Sequence, residues 1–505
     1  MKKLLSLILA VIISVSLVSC GEKVDIVKTD LSKPVTLKWL MPGPGIQKDS
    51  AEVFAKFNEE LKKIKGFENV TVKIEVIPVS DYQQKSFLMQ TAGEQIDILQ
   101  TYTLDYAQQY RDGLLLDLTD YLTLAPEMVK ELPEWIIEMG KVDGGQAIIP
   151  NYQKMASAPW GFVIPETHKQ YVDDWNKLKE VVLNNGNNDT YYQEIEKYLS
   201  NVMAAGDIDK GMSLVSNSSV TGAETVVRPF NFDWKTKKVH HRNEMPEDYS
   251  MPVAYKWHRK FFEAGYIRKD ILSAKQKDSE GVKDGSILFN AQCWPGWEAN
   301  LSDNYDIKVD AIPKDKNYFI SYKPAAGGMA ISSGSKYPDV AMKIINLMNS
   351  DKGIELYNLL VYGIEGKHYK VEKLLENGDK YITPKDYPSE GNSSSAYGLW
   401  KWIVGNAENA YVTSNEKETY KKEIFEDMHK NAIVSPLVGF VPDTTSIDTK
   451  LSQLNAVKSD SGIWEGTLAN YEEVYNAYVK DLKAAGLDEA RTELQRQVDE
   501  FLATK

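Results

Sequence analysis

The sequence predicts an α/β protein with more than one domain, and three observations support this prediction. Between residues 35 and 99, strand-like and helix-like patterns alternate, which is typical of a domain built on a largely parallel sheet. The chain of 505 residues is long enough for two or three domains. Its last third is dominated by helical periodicity. We therefore expect two α/β domains and a helix-rich C-terminus.

The first domain is predicted to start with a strand over residues 35–41, which the Pro-Gly-Pro-Gly run at 42–45 ends. Residues 51–64 then repeat apolar side chains at helical spacing, so one face of this helix would pack on the sheet. The same patterns predict strands at 70–79, 96–99 and 147–150, and helices at 81–92, 107–122 and around Trp135.

The rest of the chain continues with mixed elements and then becomes helical. Pro338 suits the first turn of a helix over 337–348. The final helices are divided at Gly486. Periodicity predicts further helices at 173–183, 190–205, 252–263, 468–485 and 487–502, and strands at 286–291, 307–312 and 327–332.

The N-terminus has the pattern of an export signal. Lys2 and Lys3 precede an apolar run over residues 4–17, which is too short to span a membrane as a helix. The run ends in Leu-Val-Ser-Cys, which resembles a bacterial lipobox, so we expect residues 1–19 to be removed and Cys20 to be acylated. The alternative is an ordinary signal peptide with an incidental cysteine. Residues 20–34 are polar and predict a tether.

Composition excludes several classes of function. The net charge is −13 and becomes about −15 without residues 1–19, so the chain lacks the basic face that nucleic acid requires. Apart from Cys20 there is a single cysteine, Cys293, so no internal disulfide is expected. No nucleophile elbow, P-loop or HExxH motif is present, and His240-His241 lacks a metal-ligand spacing. We expect no catalytic residues, no metal and no cofactor.

Several motifs occur in an order that resembles the solute-binding proteins of ABC importers, in the group that mostly binds oligosaccharides. The narrowest is the octapeptide Tyr-Gly-Ile-Glu-Gly-Lys-His-Tyr at 362–369, which resembles a lipoprotein subgroup of Gram-positive bacteria with an extra C-terminal helical segment. The other matching stretches are 53–58, 93–98, 113–119, 284–289, 327–348, 402–406 and 493–497.

The resemblance implies a periplasmic-binding-protein-like fold of type II, with two domains joined by crossing segments that act as a hinge. Domain I would comprise residues 35–150 plus 326–375, and domain II residues 151–325 plus 376–505. The implied function is capture of a small solute, an oligosaccharide above all, by a lipid-anchored monomer that delivers it to ABC permease subunits. An extracytoplasmic carbohydrate-active enzyme (hydrolase or lyase) and a sensor lipoprotein are the alternatives.

A sugar site needs flat aromatic faces and a few polar side chains. In proteins that this chain resembles, the loop after residues 284–289 places an aromatic side chain in the cleft, which predicts Trp294 and then Trp297 as ligand contacts. Loops after predicted strands at the carboxyl edge of an α/β sheet supply the other candidates. These are Tyr102, Asp105, Gln47, Lys48 and Asp49. Trp160, Trp400 and Trp402 are further aromatic candidates.

Overall fold

The computed structural model describes most of the chain. The described residues are 26–185, 188–206, 213–214, 223–242, 251–274, 281, 283, 285–293, 302, 306–376, 378–385, 396–414 and 422–505. Cys20, Trp294 and Trp297 lie outside these ranges, so their roles stay predictions.

The strands are numbered in chain order. They are β1 (Val35–Gly43), β2 (Val70–Pro78), β3 (Ile98–Gln100), β4 (Lys141–Val142), β5 (Gly145–Gln146), β6 (Ile149–Pro150), β7 (Ala156–Ser157), β8 (Trp160–Pro165), β9 (Ser213–Leu214), β10 (Ala223–Val227), β11 (Phe230–Asp233), β12 (Lys238–His241), β13 (Ile287–Gln292), β14 (Val309–Pro313), β15 (Tyr318–Ile320), β16 (Gly328–Ile331), β17 (Tyr369–Leu374), β18 (Lys380–Pro384), β19 (Val412–Thr413) and β20 (Ala432–Val434).

Helices connect and cover these strands. The α-helices span Ser50–Leu61, Val79–Thr91, Tyr106–Arg111, Pro126–Glu131, Glu134–Met139, Trp175–Asn185, Asp189–Ala205, Met251–Glu263, Pro338–Met348, Ile354–Tyr362, Lys401–Val404, Lys422–Asn431, Asp448–Ala456, Ser461–Trp464, Tyr471–Ala484 and Leu487–Leu502. Short 3₁₀ turns lie at Asp120–Leu124, Glu166–Tyr171, Ile271–Ser273, Asp351–Gly353 and Ala407–Asn409.

The first sheet has the strand order β2-β1-β3-β16-β6. The first three strands in this order are parallel, as predicted, and β16 runs antiparallel to both of its neighbours. This reversal follows from the chain path, because β16 begins at the edge of the sheet where β3 ends. It therefore runs in the direction opposite to β3. The prediction of a largely parallel sheet is confirmed.

The first sheet is covered on both faces, as expected for an α/β domain. Along β1, Trp39 and Met41 face the largest apolar core, whereas Leu40 faces a second core with Leu99 and Ala330. All five side chains are fully buried. Successive residues of a strand point to opposite faces, so a run of consecutive apolar residues indicates that this strand is covered on both faces.

One element differs from the prediction. A helix was expected over 107–122, but the helix Tyr106–Arg111 stops before Gly113, whose φ of 72° is left-handed. The chain then passes the sheet in extended form, with Leu115 bridged to Ser332. The continuous helix was therefore wrong, because a glycine that ends a helix was read as part of it.

The second sheet has the order β14-β8-β13-β9, with β8 antiparallel to β13 and β14. Phe162, Leu199 and Phe261 belong to a separate apolar core beside it. Burial lowers the pKa of His258 in this region to about 4, and its Nδ1–H donates to the Trp464 carbonyl at 2.6 Å. The C-terminal helical segment is thus attached to the second core.

The same C-terminal segment also packs with the first domain. Leu482, Leu494 and Val498 belong to the largest core together with Trp39 of β1. A three-stranded sheet, β20-β15-β7, joins chain segments that pass between the two larger sheets. The division into 35–150 plus 326–375 and 151–325 plus 376–505 stays a prediction. Across the residues that the structure describes, none of the helices is long and apolar enough to cross a membrane.

Candidate ligand-binding site

The candidate site lies at the edge of the first sheet where β3 and β6 end and β16 begins. Directly after β3, the Thr101 hydroxyl accepts a hydrogen bond from the Gly328 N–H at 2.9 Å. Gly327 has a φ of 63°, and a Cβ there would come within 2.8 Å of Thr101. Glycine therefore allows the returning chain to pass against the loop after β3. Open α/β sheets bind ligands at such edges.

Three aromatic side chains meet at this edge. The rings of Tyr102 and Trp402 pack edge to face, with centroids 4.8 Å apart and an interplanar angle of 72°. Trp402 is stacked on Trp400, with centroids 5.0 Å apart and an angle of 8°. All three are half-buried, so each keeps part of its ring exposed to solvent. We call Tyr102, Trp400 and Trp402 the aromatic platform.

The loop that carries Tyr102 is held in an unusual conformation. Thr103, a β-branched residue, has a φ of 71°, which costs roughly 1–3 kcal/mol and persists only where the surroundings impose it. The buried amide of Gln100 supplies part of that constraint. Its oxygen accepts from the Tyr102 N–H, and its nitrogen donates to the Ala326 carbonyl at 3.3 Å. Backbone strain of this kind often occurs at functional sites.

The loop after β1 contains three predicted contacts in different surroundings. Lys48 is exposed. Gln47 is buried, and its side-chain oxygen accepts from the Gly398 N–H at 3.0 Å. The Asp49 carboxylate lies 3.1 Å from the Lys367 ammonium and 3.2 Å from His368 Nε2. Gln47 and Asp49 thus have partners within the protein, and their contact with ligand stays a prediction.

Asp105 also has a local partner. Its side chain caps the helix Tyr106–Arg111 by accepting from the Gln108 N–H at 3.0 Å. The carboxylate is exposed beside the loop that carries Tyr102. An exposed cap has lone pairs left for a ligand hydroxyl, so the predicted contact is compatible with the capping role.

Trp160 lies at the edge of the second sheet where β13 and β14 end. It pairs with Gln292 in the sheet register, and its carbonyl accepts from the Lys314 N–H at 2.8 Å. Cys293 donates its N–H to the Pro159 carbonyl at 2.8 Å, which places Cys293 next to Trp160. Burial lowers the pKa of the Lys314 ammonium to about 8.

Residues 151–155 follow β6 and bond to Trp402 of the platform and to His429. The Asn151 side-chain amide donates to the Trp402 carbonyl at 3.0 Å. His429 Nε2 accepts from the Met155 N–H, and its Nδ1 pairs with the Tyr152 hydroxyl, both at 2.9 Å. Burial lowers the pKa of His429 to about 4, so this ring is neutral near pH 7.

Sequence reasoning placed Tyr102 in the site but did not associate it with Trp400 and Trp402. The tryptophans are separated from Tyr102 by more than half of the chain, and local periodicity carries no information about that contact. The available signal was the Trp-x-Trp pair at 400–402, since flat aromatic side chains close together in sequence are what a sugar site needs. Among the described residues, no group of three or more His, Cys, Asp or Glu side chains is arranged to hold a metal ion.

Two α/β units joined by crossing segments, with an aromatic platform at a sheet edge, are the features of a two-domain solute-binding protein. The chain belongs to the bacterial extracellular solute-binding protein family, whose model matches residues 52–363. This membership confirms the predicted type II fold and the prediction that the chain is not an enzyme. A second model, described as a domain of unknown function (DUF3502), matches residues 436–503.

Similar proteins cover nearly the whole chain. A carbohydrate ABC transporter substrate-binding protein from Streptococcus pneumoniae serotype 4 is 26% identical over 476 residues, which are 90% of this chain and 88% of that protein. The crystal structure of the N-glycan transport solute binding protein (NgtS) from Streptococcus pneumoniae is 23% identical, with a TM-score of 0.66 over 93% of this chain and 99% of that chain. Its complex with Man1GlcNAc has a TM-score of 0.56, with 22% identity over 93% of this chain and 100% of that chain.

Proposed function

We propose that the protein captures an oligosaccharide on the outer side of the membrane and delivers it to the permease of an ABC importer. The single observation that carries the sugar assignment is the aromatic platform. Its indoles are stacked 5.0 Å apart and nearly parallel, with the Tyr102 ring packed against Trp402, so the outer face of the stack is a flat apolar surface for a ligand. The C–H faces of pyranose rings match such surfaces. The carbohydrate importer component from Streptococcus pneumoniae supports the same assignment.

Polar groups around the platform would bind sugar hydroxyls. Asp105 and Lys48 are exposed. A carboxylate accepts a hydrogen bond from a sugar hydroxyl, and an ammonium group donates one. The second domain would contribute Trp160 together with Trp294 and Trp297. A sugar held between aromatic faces from both domains would favour the closed arrangement of the hinge, because it contacts both sides only there.

Residues 151–155 would form part of the hinge, and their bonds would link it to the ligand. The Asn151 side chain donates to the Trp402 carbonyl, and the Tyr152 carbonyl accepts from the Ala407 N–H at 2.7 Å. A sugar on the stacked indoles would therefore lie against a residue whose backbone is bonded to Asn151. The permease would then distinguish the ligand-bound protein from the empty one by its closed arrangement.

The proposal is tested by a thermal-shift screen of the purified mature protein against an oligosaccharide panel. The panel comprises Man1GlcNAc, Man5GlcNAc, maltotetraose, cellotetraose and lacto-N-tetraose. A ligand that binds only the native state raises the unfolding midpoint, by a free energy of about 2.7 kcal/mol at a concentration one hundred times its Kd. At least one member should do so. A flat response across the panel would contradict the proposed function.

We also propose that Cys20 carries the lipid anchor, with residues 20–34 as the tether. The argument rests on the Leu-Val-Ser-Cys sequence at 17–20 after an apolar run. Two or three acyl chains on one residue bury enough methylene groups for stable attachment to a membrane. A protein held there stays close to its permease.

Replacing Cys20 by Ala is expected to abolish incorporation of a labelled fatty acid and to release the protein into the medium or leave it unprocessed. Cys293→Ala is the matched control, since it removes the other cysteine and should keep the label. Metabolic labelling followed by electrophoresis measures both variants. A wild-type band without label would show that the anchor is absent.

A further inference from the structure

Residues 396–402, which we call the tryptophan loop, present Trp400 and Trp402 to the candidate site. The loop is fixed to the first domain at several points. Tyr397 is buried, and its hydroxyl donates to the Leu360 carbonyl at 2.8 Å. The Leu399 N–H donates to the Val361 carbonyl at 3.0 Å. The end of the helix Ile354–Tyr362 therefore supports one side of the loop.

Gln47 and Asp49 support the other side. The Gln47 side-chain oxygen accepts from the Gly398 N–H at 3.0 Å, and the Asp49 N–H donates to the Ala396 carbonyl at 3.0 Å. Gln47 is buried, and it lies on the loop that follows β1. Gln47 bonds the tryptophan loop through its side chain, whereas Asp49 does so through its backbone N–H. The Asp49 carboxylate can therefore act on the loop only by holding residue 49 in place.

The Asp49 carboxylate also attaches this assembly to the octapeptide 362–369. His368 Nδ1 accepts from the Ile364 N–H at 2.8 Å, which leaves Nε2 as the ring nitrogen that donates to Asp49, at 3.2 Å. Gly363, with a φ of 81°, lets the ring lie this close, because a Cβ there would come within 2.6 Å of His368 Nδ1. The Lys367 ammonium and then the His368 ring hold the pKa of Asp49 below its ordinary value.

We propose that Asp49, His368 and Gln47 are positioning residues, which fix the tryptophan loop so that the stacked indoles present one preformed surface to the ligand. This inference rests on the proposed function of the platform and deepens it. It assigns the octapeptide a role in ligand affinity without contact with the ligand. Preformed sites bind more tightly because less conformational entropy is lost on binding.

A double-mutant cycle separates positioning from contact. Asp49→Ala should weaken binding of the panel's best oligosaccharide about tenfold in the wild-type background. In the Trp400→Ala/Trp402→Ala background the same change should have no further effect, since the residues through which Asp49 acts are gone. Asp49→Asn keeps an acceptor for His368 and should restore most of the affinity. Asp81→Ala is the control, because that carboxylate accepts from Lys85 at 3.0 Å on another helix.

A ligand-free measurement accompanies the cycle. Two indoles stacked at 5.0 Å couple their far-ultraviolet transitions, and Asp49→Ala should reduce that circular-dichroism couplet while Asp81→Ala leaves it unchanged. If Asp49→Ala proves unstable, Gln47→Ala is measured in the same cycle, with the same expectation.

Equal losses of affinity in both backgrounds would show that Asp49 contacts the ligand directly, which overturns the positioning role. An unchanged couplet would overturn it as well. Failure of the wild-type protein to bind any panel member would contradict the proposed function. The circular-dichroism couplet needs no sugar, so it would still decide whether Asp49 positions the tryptophan loop.

Discussion

Replacing Trp400 and Trp402 together by Ala is expected to weaken oligosaccharide binding about a hundredfold or more. Each desolvated aromatic anchor commonly contributes roughly 2 kcal/mol, and about 1.4 kcal/mol corresponds to a factor of ten in Kd. The two effects will not add fully, because the rings stack on each other. Titration calorimetry with the panel's best oligosaccharide gives the change.

Trp175→Ala is the matched control for this variant. Trp175 is also half-buried, but it packs beside the second core under the Lys169 ammonium. Its removal should cost a similar amount of stability and leave affinity unchanged. Unaltered binding by the double variant, or an equal loss of affinity in the control, would show that the platform does not bind the oligosaccharide.

Trp294→Ala is expected to weaken binding by roughly 1–3 kcal/mol, which is tenfold to over a hundredfold. Gln292, at the end of β13, pairs with Trp160, and Cys293 bonds to the Pro159 carbonyl. Trp294 is the next residue in the sequence, and we predict that it supplies the aromatic contact from the second domain. The free energy of unfolding should fall much less than the roughly 3–5 kcal/mol that is lost when a tryptophan buried in a core is replaced by alanine.

Trp39→Ala is the reference for loss of a core tryptophan in this chain, because Trp39 lies in β1 and is fully buried. This variant should show the full loss of unfolding free energy expected for a core site. A denaturant melt of both variants alongside calorimetry separates a ligand contact from a packing residue. If Trp294→Ala loses stability as Trp39→Ala does, or keeps full affinity, its predicted contact with ligand is wrong.

The elements of the first domain were predictable because their side-chain patterns are local. Residues 35–41 read as a strand and form most of β1, and the helix predicted over 51–64 is observed at Ser50–Leu61. Pro338 begins the helix Pro338–Met348 as expected. Burial on one face is visible in the sequence wherever the period of the apolar residues matches the element.

The composition of the platform was only partly predictable. Tyr102 follows β3 at a sheet edge, a position where open α/β sheets bind ligands, and this position is why the sequence predicts it as a ligand contact. Its partners come from a loop far away in sequence, which bonds to Gln47 and to the Asp49 backbone. Polar tertiary contacts of this kind have no period, so the sequence pattern does not show them. A polar loop residue looks the same in sequence whether it binds a sugar or another loop, and the predicted ligand contacts of Gln47 and Asp49 stay predictions.

The central claim is that the protein binds an oligosaccharide at the platform and does not alter it. The most direct test is titration calorimetry of the mature protein with the panel's best binder, followed by chromatography of the ligand after prolonged incubation. We expect one-to-one binding, loss of that binding in the Trp400→Ala/Trp402→Ala variant, and recovery of intact oligosaccharide. Shortened products that accumulate with time, or full binding by the double variant, would contradict the claim.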